Sequence, residues 1–157
     1  MKYIENDSTD PHYNLAFEEY IFKNLDKEDF VLLWRNRPSI IVGKNQNTIE
    51  EINMDYVKDN NINVVRRVTG GGAVYHDFGN LNFSFITKSQ SNLIDFKTYN
   101  IPIVRALKKL GVDCELSGRN DIVIEGKKFS GIAQSIIKER VLNHGTLLFD
   151  SKLDILS

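Results

Sequence analysis

The chain contains, from residue 66 to residue 77, the stretch Arg66-Arg67-Val68-Thr69-Gly70-Gly71-Gly72-Ala73-Val74-Tyr75-His76-Asp77. Three consecutive glycines carry no Cβ, so their backbone amides can turn toward a ligand and approach phosphate or carboxylate oxygens closely. The two arginines just before the glycines add fixed positive charge. Taken alone, the stretch fits a flexible hairpin loop with two surface arginines equally well, so its context must decide.

The neighbouring residues exclude two common nucleotide-binding loops. No Gly-Lys-Ser or Gly-Lys-Thr follows the glycines at the P-loop spacing. Asn63 to Arg67 is typical of a strand, and Leu81 to Ile86 alternates apolar and polar residues at the strand period. The glycines are therefore predicted to lie between strands, without the helix N-terminus on which a pyrophosphate sits in dinucleotide-binding folds.

Apolar spacing predicts the remaining elements before residue 112. Pro11 to Leu25 has the spacing of one helical face, and Thr48, with Glu51 three residues on, resembles a helix cap. The β-rich runs Phe30 to Trp34 and Ser39 to Gly43 indicate adjacent strands joined by a tight connection. A second amphipathic helix is predicted to end before Gly111 and to use the apolar residues Ile103, Val104, Leu107 and Leu110.

Beyond Gly111 the pattern is again β-rich. Asp121 to Ile124 is followed by a turn at residues 125–127 and a return strand from Lys128 to Ile132, and further β-rich stretches are predicted at Ala133 to Ile137 and Thr146 to Phe149. Strands mostly follow strands, so the expected fold class is α+β with a mixed, largely antiparallel sheet and packed helices. Asp150 to Ser157 resembles the capped start of a further helix.

Composition narrows the class of protein. The 157 residues include 20 Lys and Arg and 21 Asp and Glu, a formal charge of -1 that argues against nucleic acid as a partner. The sequence contains no apolar run of about 18 residues, so no membrane span is predicted. The start has no basic segment followed by an apolar stretch, and Cys114 is the single cysteine, so the cytoplasm is the expected location.

Several segments together carry a resemblance to a known family. The chain resembles the lipoate-protein ligases of the biotin and lipoate ligase superfamily, and it looks like the amino-terminal part of their catalytic domain over almost its whole length. The matching segments, in the family's order, are Asn14-Leu15-Ala16-Phe17-Glu18-Glu19, Trp34-Arg35-Asn36, Arg66 to Asn80, Ser117-Gly118-Arg119-Asn120-Asp121, Lys128-Phe129-Ser130-Gly131-Ile132-Ala133 and His144-Gly145-Thr146-Leu147-Leu148.

The resemblance implies a fold related to the class II synthetases and a reaction in two steps. Lipoate and ATP give lipoyl-adenylate and pyrophosphate, and a lysine of a lipoyl-acceptor domain then attacks the mixed anhydride. Acceptors of the family are the glycine cleavage H protein and the E2 subunits of 2-oxoacid dehydrogenases. The resemblance further implies that residues 1–157 are a partial catalytic domain, without the region that closes over the adenylate and without the carboxy-terminal accessory domain.

The resemblance also implies roles for individual residues. Lys128 matches the lysine that contacts both the lipoate carboxylate and the α-phosphate, where one positive charge reduces the repulsion between two anions. Mg²⁺ is expected with ATP, although no protein ligand for it is assigned. The expected ATP or adenylate contacts are Arg67, Gly72, Ala73, Val74, Tyr75, Asn120, Asp121 and Lys128, and the expected lipoate contacts are Lys128, Gly71 and His144.

Simpler interpretations compete with these roles. Without the family context, Lys128 would be an exposed lysine in a turn, and Asp121 would cap a turn. His76 with Asp77 could form an acid–base pair, but a structural role is favoured, and the three histidines lack metal-site spacing. His144 would shape the pocket or pack in a turn. The aromatic residues Phe17, Phe22, Phe83 and Phe85 are expected in the core rather than in a tunnel.

Two other functions remain open at this stage. The first is an ATP-independent octanoyl or lipoyl transferase with Cys114 as the acyl nucleophile. The flanking Asp113 and Glu115 count against it, because their negative charges are expected to raise the thiol pKa. The second is a non-catalytic subunit that a second chain complements.

Overall fold

The computed structural model describes residues 1–88, 94–118 and 120–152, and it contains four helices and ten strands within those ranges. The helices are α1 (Pro11–Asn24), α2 (Thr48–Glu51), α3 (Met54–Asp59) and α4 (Phe96–Lys109). The strands are β1 (Lys2–Ile4), β2 (Phe30–Trp34), β3 (Ser39–Val42), β4 (Asn63–Arg66), β5 (Val74–His76), β6 (Asn80–Lys88), β7 (Glu115–Ser117), β8 (Asp121–Ile124), β9 (Lys127–Ile137) and β10 (Arg140–Leu148).

The strands form two sheets. The large sheet has the order β1-β2-β6-β10-β9-β8-β7, in which β1 pairs with β2 in parallel and every other pair is antiparallel. The small sheet has the order β4-β3-β5, with β3 parallel to β4 and antiparallel to β5. This arrangement confirms the mixed, largely antiparallel α+β fold expected from the order of the elements.

Two apolar clusters stabilise the sheets. The first joins α1 to β2, β3, β6 and β10 and contains Leu15, Ile21, Phe22, Phe30, Leu32, Trp34, Ile41, Ile86 and Leu142. The second joins α4 to the large sheet and contains Phe83, Phe85, Leu107, Cys114, Ile122, Ile132 and Leu147. Phe22, Phe83 and Phe85 are therefore core residues as expected, and Phe17 packs against the first cluster while stacking on Tyr13.

Helices α1 and α4 confirm the apolar spacing read from the sequence. Asp10 caps α1 by accepting hydrogen bonds from the N–H groups of His12 and Tyr13, and Pro11 occupies the first turn, where its missing N–H costs nothing. Helix α4 ends at Lys109, and Gly111 follows with φ of 87°, a conformation that favours glycine.

The structure corrects the expected pairing of β2 with β3. The two strands lie in different sheets, because the connection between them bonds to α1 rather than closing a hairpin. The side-chain amide of Asn14 donates hydrogen bonds to the Arg35 carbonyl at 3.0 Å and to Asn36 Oδ1 at 2.9 Å. Two acceptors of the connection thus bond to the helix, while β3 pairs with β4 and β5.

The helix predicted from Thr48 onward was also wrong in detail. It consists of two short helices, α2 and α3. Asn47 rather than Thr48 occupies the N-cap position of α2 without a side-chain capping bond, and Asn53 caps α3 by accepting from the Tyr56 N–H. The Thr48 hydroxyl instead accepts a hydrogen bond from the Arg66 guanidinium at 2.6 Å. Neither helix contains a buried residue, and Ile49 is largely exposed.

Further differences concern the strands near the carboxy-terminal end. The runs Lys128 to Ile132 and Ala133 to Ile137 form one strand, β9, so Lys128 lies in a strand rather than a turn, and β10 begins at Arg140 rather than at Thr146. Residues 153–157 of the expected final helix, and Arg119 of the resembling segment, lie outside the described residues. None of the helices within the described ranges is long and apolar enough to cross a membrane.

Candidate functional site

A cavity of about 250 Å³ lies between the two sheets and α1, and it is called the glycine-loop cavity below. Helix α1 and strands β2, β3, β5, β6, β9 and β10 supply part of its wall, and the loop between β4 and β5 and Asn120 supply the rest. Its lining residues are Leu15, Trp34, Ile41, Arg67, Gly71, Gly72, Ala73, Val74, His76, Asn82, Asn120, Lys128, Gly131, Ile132, Ala133, His144, Gly145 and Thr146.

The glycine loop connects β4 to β5 at the mouth of this cavity. Gly71 has φ of 97°, which favours glycine, whereas Gly70 and Gly72 have no positive φ. No acceptor among residues 1–88, 94–118 and 120–152 pairs with the N–H of Gly70, Gly71 or Gly72. The loop therefore offers backbone donors for an anion, as its composition predicts.

Arg67 holds the glycine loop in shape. Its Nη2 donates to the carbonyls of Gly70 and Gly72, each at 2.8 Å, and its Nη1 donates to the Ile41 carbonyl at 2.9 Å. The side chain is buried, and this burial lowers the guanidinium pKa from its ordinary value. Arg67 thus organises the loop from within, in addition to the ATP contact expected from the family resemblance.

Arg66 points away from Arg67 and organises a second loop. Its Nη1 donates to the carbonyls of Gly43 and Gln46, each at 2.8 Å. This second loop packs directly on the first, because a Cβ placed on Gly43 would lie 2.0 Å from the Gly71 carbonyl oxygen. The two arginines are therefore structural at both loops, rather than free surface charges.

Lys128 reaches the cavity from β9. Its Nζ lies 2.9 Å from Asp121 Oδ1, and its side chain remains 56% exposed. The amine also passes over Gly131, where an added Cβ would lie 3.5 Å from Nζ. Asn120 is fixed nearby through a 2.8 Å hydrogen bond from its amide to the Ile132 carbonyl. Because the Lys128 side chain is itself more than half exposed, a ligand anion can compete with Asp121 for its amine.

A chain of buried polar side chains lies beside the cavity. The Trp34 indole N–H donates to Ser84 Oγ at 3.0 Å, and the Ser84 hydroxyl donates to Glu18. His144 Nδ1 lies 2.9 Å from Glu18 Oε2, and His144 Nε2 lies 2.8 Å from Thr69 Oγ1. Thr69 in turn accepts from Arg67 Nε at 3.0 Å.

His76 is a buried neutral histidine at the wall of the cavity. Its Nδ1 lies 3.1 Å from the Asn36 amide nitrogen, which can only donate, so Nδ1 is the acceptor and Nε2 carries the proton. Burial, assisted by His144 and Arg67, lowers the His76 pKa to about 3. Asp77 does not pair with it, because its carboxylate accepts from the N–H groups of Gly79 and Lys152. These contacts favour a structural role over an acid–base pair with Asp77.

The buried His76 predicts acid sensitivity. Below pH 6.5 the unfolded chain binds a proton that the folded chain excludes until about pH 3, so stability present above pH 6.5 is lost as the pH falls. We expect this residue to contribute up to about 1.4 kcal/mol per pH unit to that loss. Urea unfolding across this pH range should show a shallower dependence for His76→Gln, and an unchanged one for the exposed His12→Gln. Equal slopes for wild type and His76→Gln would contradict the assignment.

The structure brings most of the expected site residues to the one cavity. Those that line it are Arg67, Gly71, Gly72, Ala73, Val74, Asn120, Lys128 and His144. Asp121 contacts Lys128 instead. The Tyr75 side chain does not share the cavity, because alternation along β5 turns it to the opposite face, where it lines a second cavity of about 760 Å³. An adenylate contact of Tyr75 would have to use its backbone.

Glu18 and Thr69 are the partners that sequence reasoning missed. Glu18 is 1% exposed although it is charged. A signal was present, because Glu18 follows Leu15 by three residues and precedes Phe22 by four, on the buried face of α1. An acid in that position needs a buried partner.

Cys114 does not belong to the site. It lies in the second apolar cluster, does not line the cavity, and is 2% exposed. Burial raises its thiol pKa, and Asp113 adds to the increase while Lys108 opposes it. The pKa direction expected from the sequence is confirmed, and the cavity holds no cysteine nucleophile for the transferase alternative, since Cys114 is the only cysteine of the chain.

A lysine, free loop amides and apolar side chains around one cavity define a site for an amphiphilic anion on an α+β fold. A family model described as the lipoyl protein ligase A/B catalytic domain matches residues 10–157, and the chain belongs to this family.

Individual relatives agree with the family assignment. The chain is 58% identical to the lipoate-protein ligase LplJ of Bacillus subtilis, over 98% of this chain and 47% of that protein. It matches a bipartite lipoate protein ligase of Thermoplasma acidophilum, described with its E2 lipoyl domain, at a TM-score of 0.92 and 34% identity, covering 99% of this chain and 64% of that one. A lipoate-protein ligase A bound with ATP matches at a TM-score of 0.90 and 34% identity. The match covers 99% of this chain and 69% of that one. The chain spans about half the length of the curated relatives it matches.

Proposed function

We propose that the protein activates lipoate with ATP and transfers the lipoyl group to a lysine of lipoyl-acceptor domains. The observation that carries this proposal is the meeting of Lys128 and the glycine-loop amides at a cavity that also has an apolar wall. Lipoate has an apolar tail and one carboxylate, so each part of it finds a matching surface. Names of similar proteins support the substrate: one relative is called a lipoate-protein ligase, and one similar structure holds ATP.

The size of the cavity supports a separate place for each of the two substrates. At about 250 Å³, the cavity is slightly smaller than the roughly 300–1,000 Å³ typical of sites for drug-sized ligands. This volume suits an acyl chain of moderate length better than a complete acyl-adenylate. We therefore place the lipoyl chain inside the cavity and the nucleotide at its mouth, beside Asn120 and Lys128.

Lys128 would act as a movable counter-charge in the first step. Before substrates bind, Asp121 neutralises it; afterwards the carboxylate of lipoate and the α-phosphate of ATP would compete for the same Nζ. One cation between two anions lowers their repulsion as the carboxylate oxygen approaches phosphorus and pyrophosphate leaves. The amide donors of Gly71 and Gly72 would add neutral stabilisation of oxygen charge.

The described residues do not fit a dedicated Mg²⁺ site. The lining of the glycine-loop cavity carries no carboxylate, and no group of three His, Cys, Asp or Glu among the described residues lies close enough to hold a metal ion. Mg²⁺ prefers carboxylate and phosphate oxygens. Any Mg²⁺ would therefore depend mainly on the ATP phosphates, and no role of this chain is assigned to it.

The second step needs an acceptor lysine, and the proposed partners are lipoyl domains of 2-oxoacid dehydrogenase E2 subunits or the glycine cleavage H protein. An E2 lipoyl domain accompanies the bipartite ligase in its structural description, which supports the first class. The proposed compartment is the cytoplasm, where ATP and these acceptors meet.

Exchange of labelled pyrophosphate into ATP tests the first step directly. We expect the intact protein to catalyse exchange only when lipoate is present, because adenylation is reversible until an acceptor lysine consumes the product. Replacing lipoate with a dicarboxylic acid of similar length should abolish exchange, since a charged tail cannot enter an apolar cavity. Lipoyl transfer without ATP, or the absence of lipoate-dependent exchange, would refute the proposal.

A further inference from the structure

We propose that Glu18 is a positioning residue of the glycine loop, acting through His144 and Thr69 on Arg67. Glu18 lies on α1, and Arg67 follows it 49 residues later in the chain. The inference rests on the proposed function, because it concerns the loop that is expected to receive the anions of lipoate and ATP. Four buried side chains make the connection, and three contacts join them end to end.

The carboxylate sets the direction of each hydrogen bond that joins these four side chains. The Glu18 carboxylate accepts from the Ser84 hydroxyl and lies against His144 Nδ1, so Nδ1 carries a proton and donates. With the ring proton on Nδ1 alone, Nε2 has only a lone pair, and the Thr69 hydroxyl donates to it. The Thr69 oxygen keeps its lone pairs for Arg67 Nε, and that contact is also made, at 3.0 Å.

The same carboxylate balances the buried charge of Arg67. Burial disfavours the charged guanidinium, whereas the negative charge of Glu18 favours it. Glu18 is 1% exposed and Arg67 is 7% exposed, so water contributes little screening between them. Two charges on opposite sides of a neutral His144–Thr69 bridge thus stabilise one another without direct contact.

Arg67 carries the effect to the loop. Its Nη2 donates to the carbonyls of Gly70 and Gly72 on either side of Gly71. The orientation of these peptide groups decides where the unpaired N–H groups of the loop point. A guanidinium tilted away from Thr69 would release both carbonyls, and the amide donors would lose their alignment toward the cavity.

Replacing the carboxylate by an amide removes its negative charge and one of its two acceptor oxygens. In Glu18→Gln the amide oxygen can still accept from His144 Nδ1, because either carboxylate oxygen lies within 3.0 Å of that nitrogen. The NH₂ group then takes the place of the other oxygen and faces His144 or the Ser84 hydroxyl, which donates there in the wild type. Arg67 loses its buried counter-charge in either orientation, and a buried unpaired donor is costly.

The first experiment needs no variant. Nitrogen-15 NMR of the intact protein in neutral buffer distinguishes the two neutral tautomers of His144 and its protonated form. We expect the neutral tautomer with the proton on Nδ1. Either the Nε2–H tautomer or the doubly protonated ring would overturn the proposal, because Thr69 would then be unable to donate to Nε2.

The second experiment is a double-mutant cycle on lipoate-dependent pyrophosphate exchange. Glu18→Gln should lower kcat/KM by about 10- to 100-fold, as expected for a displaced binding loop, and Glu19→Gln, an equal charge change on the next and more exposed residue, should be near wild type. In a Thr69→Val background the hydrogen-bond connection between His144 and Arg67 is already broken. There, Glu18→Gln should lower kcat/KM by less than about 3-fold. Fully multiplicative losses would overturn the coupling.

The two readouts separate this inference from the proposed function. A protein that shows the Nδ1–H tautomer but catalyses no exchange retains the hydrogen-bond chain and refutes the ligase activity. Normal exchange together with the Nε2–H tautomer refutes the role of Glu18 alone. A Glu18→Gln variant that fails to fold leaves the tautomer measurement on the wild-type protein as the deciding result.

Discussion

Lys128→Ala is expected to lower lipoate-dependent pyrophosphate exchange by about 100- to 1,000-fold, the loss typical of removing one group that stabilises charge in the transition state. The fold should survive. The Lys128 side chain is 56% exposed and its ion pair with Asp121 is partly solvated, so the free energy of unfolding should change by less than about 0.5 kcal/mol. Exchange kinetics and urea unfolding of the same preparation measure the two effects.

A matched control lies one residue away. Lys127 is also a lysine of β9, is exposed, and does not line the glycine-loop cavity. Lys127→Ala removes the same charge from the same strand and should leave exchange within about 2-fold of wild type, as for other surface substitutions. Equal losses in the two variants would reduce the role of Lys128 to general electrostatics, and full activity of Lys128→Ala would refute its assignment.

Gly43→Ala is expected to damage both stability and activity. The new methyl group would lie 2.0 Å from the Gly71 carbonyl oxygen, which belongs to the backbone and cannot rotate away. Overpacking of this kind costs about 1–3 kcal/mol. Relief requires the glycine loop to move, and a displacement of about 1 Å can cost roughly 100-fold in rate. Thermal unfolding and exchange kinetics should both reveal the change.

Gly70→Ala provides the contrasting case for stability. A Cβ at Gly70 meets no atom within 4 Å, and its φ is not positive. Alanine at a compatible position restricts the unfolded chain and stabilises proteins by about 0.4–1 kcal/mol. Gly70→Ala should therefore unfold at or above the wild-type temperature. Comparable destabilisation of the two variants would mean that the loop, rather than the Gly43 contact, is sensitive to any added side chain.

The elements that could be predicted from the sequence are those with local causes. The alternation of β6 and the apolar spacing of α1 and α4 depend on neighbours within a few residues. Sheet membership has no such local signal. Strands β2 and β3 were expected to be adjacent, yet they pair with different strands, and their connection bonds to Asn14, which lies 21 and 22 residues before Arg35 and Asn36.

The same distinction applies to the site. Family resemblance identified Lys128 and the glycine loop, and spacing alone would have left both as surface features. Glu18 and His144 are 126 residues apart, and the residues next to each of them give no indication of their contact. The direction of the Tyr75 side chain likewise depends on which residues of β5 face the glycine-loop cavity. Residue types can suggest which groups take part, but which face they occupy follows from pairing that distant strands determine.

In strand β9, the register of pairing with β8 decides which face of the sheet each side chain occupies. Its register with β8 shifts between Ile122 and Val123, so that Phe129 is an extra residue opposite β8. Lys128 and Gly131 are three residues apart, an odd separation that would place them on opposite faces of a regular strand, yet the Lys128 amine lies over Gly131. Among homologues, a one-residue deletion here would conserve every chemically active side chain and still lose the site. A deletion in this hairpin is therefore expected to abolish function even where Lys128 itself is retained.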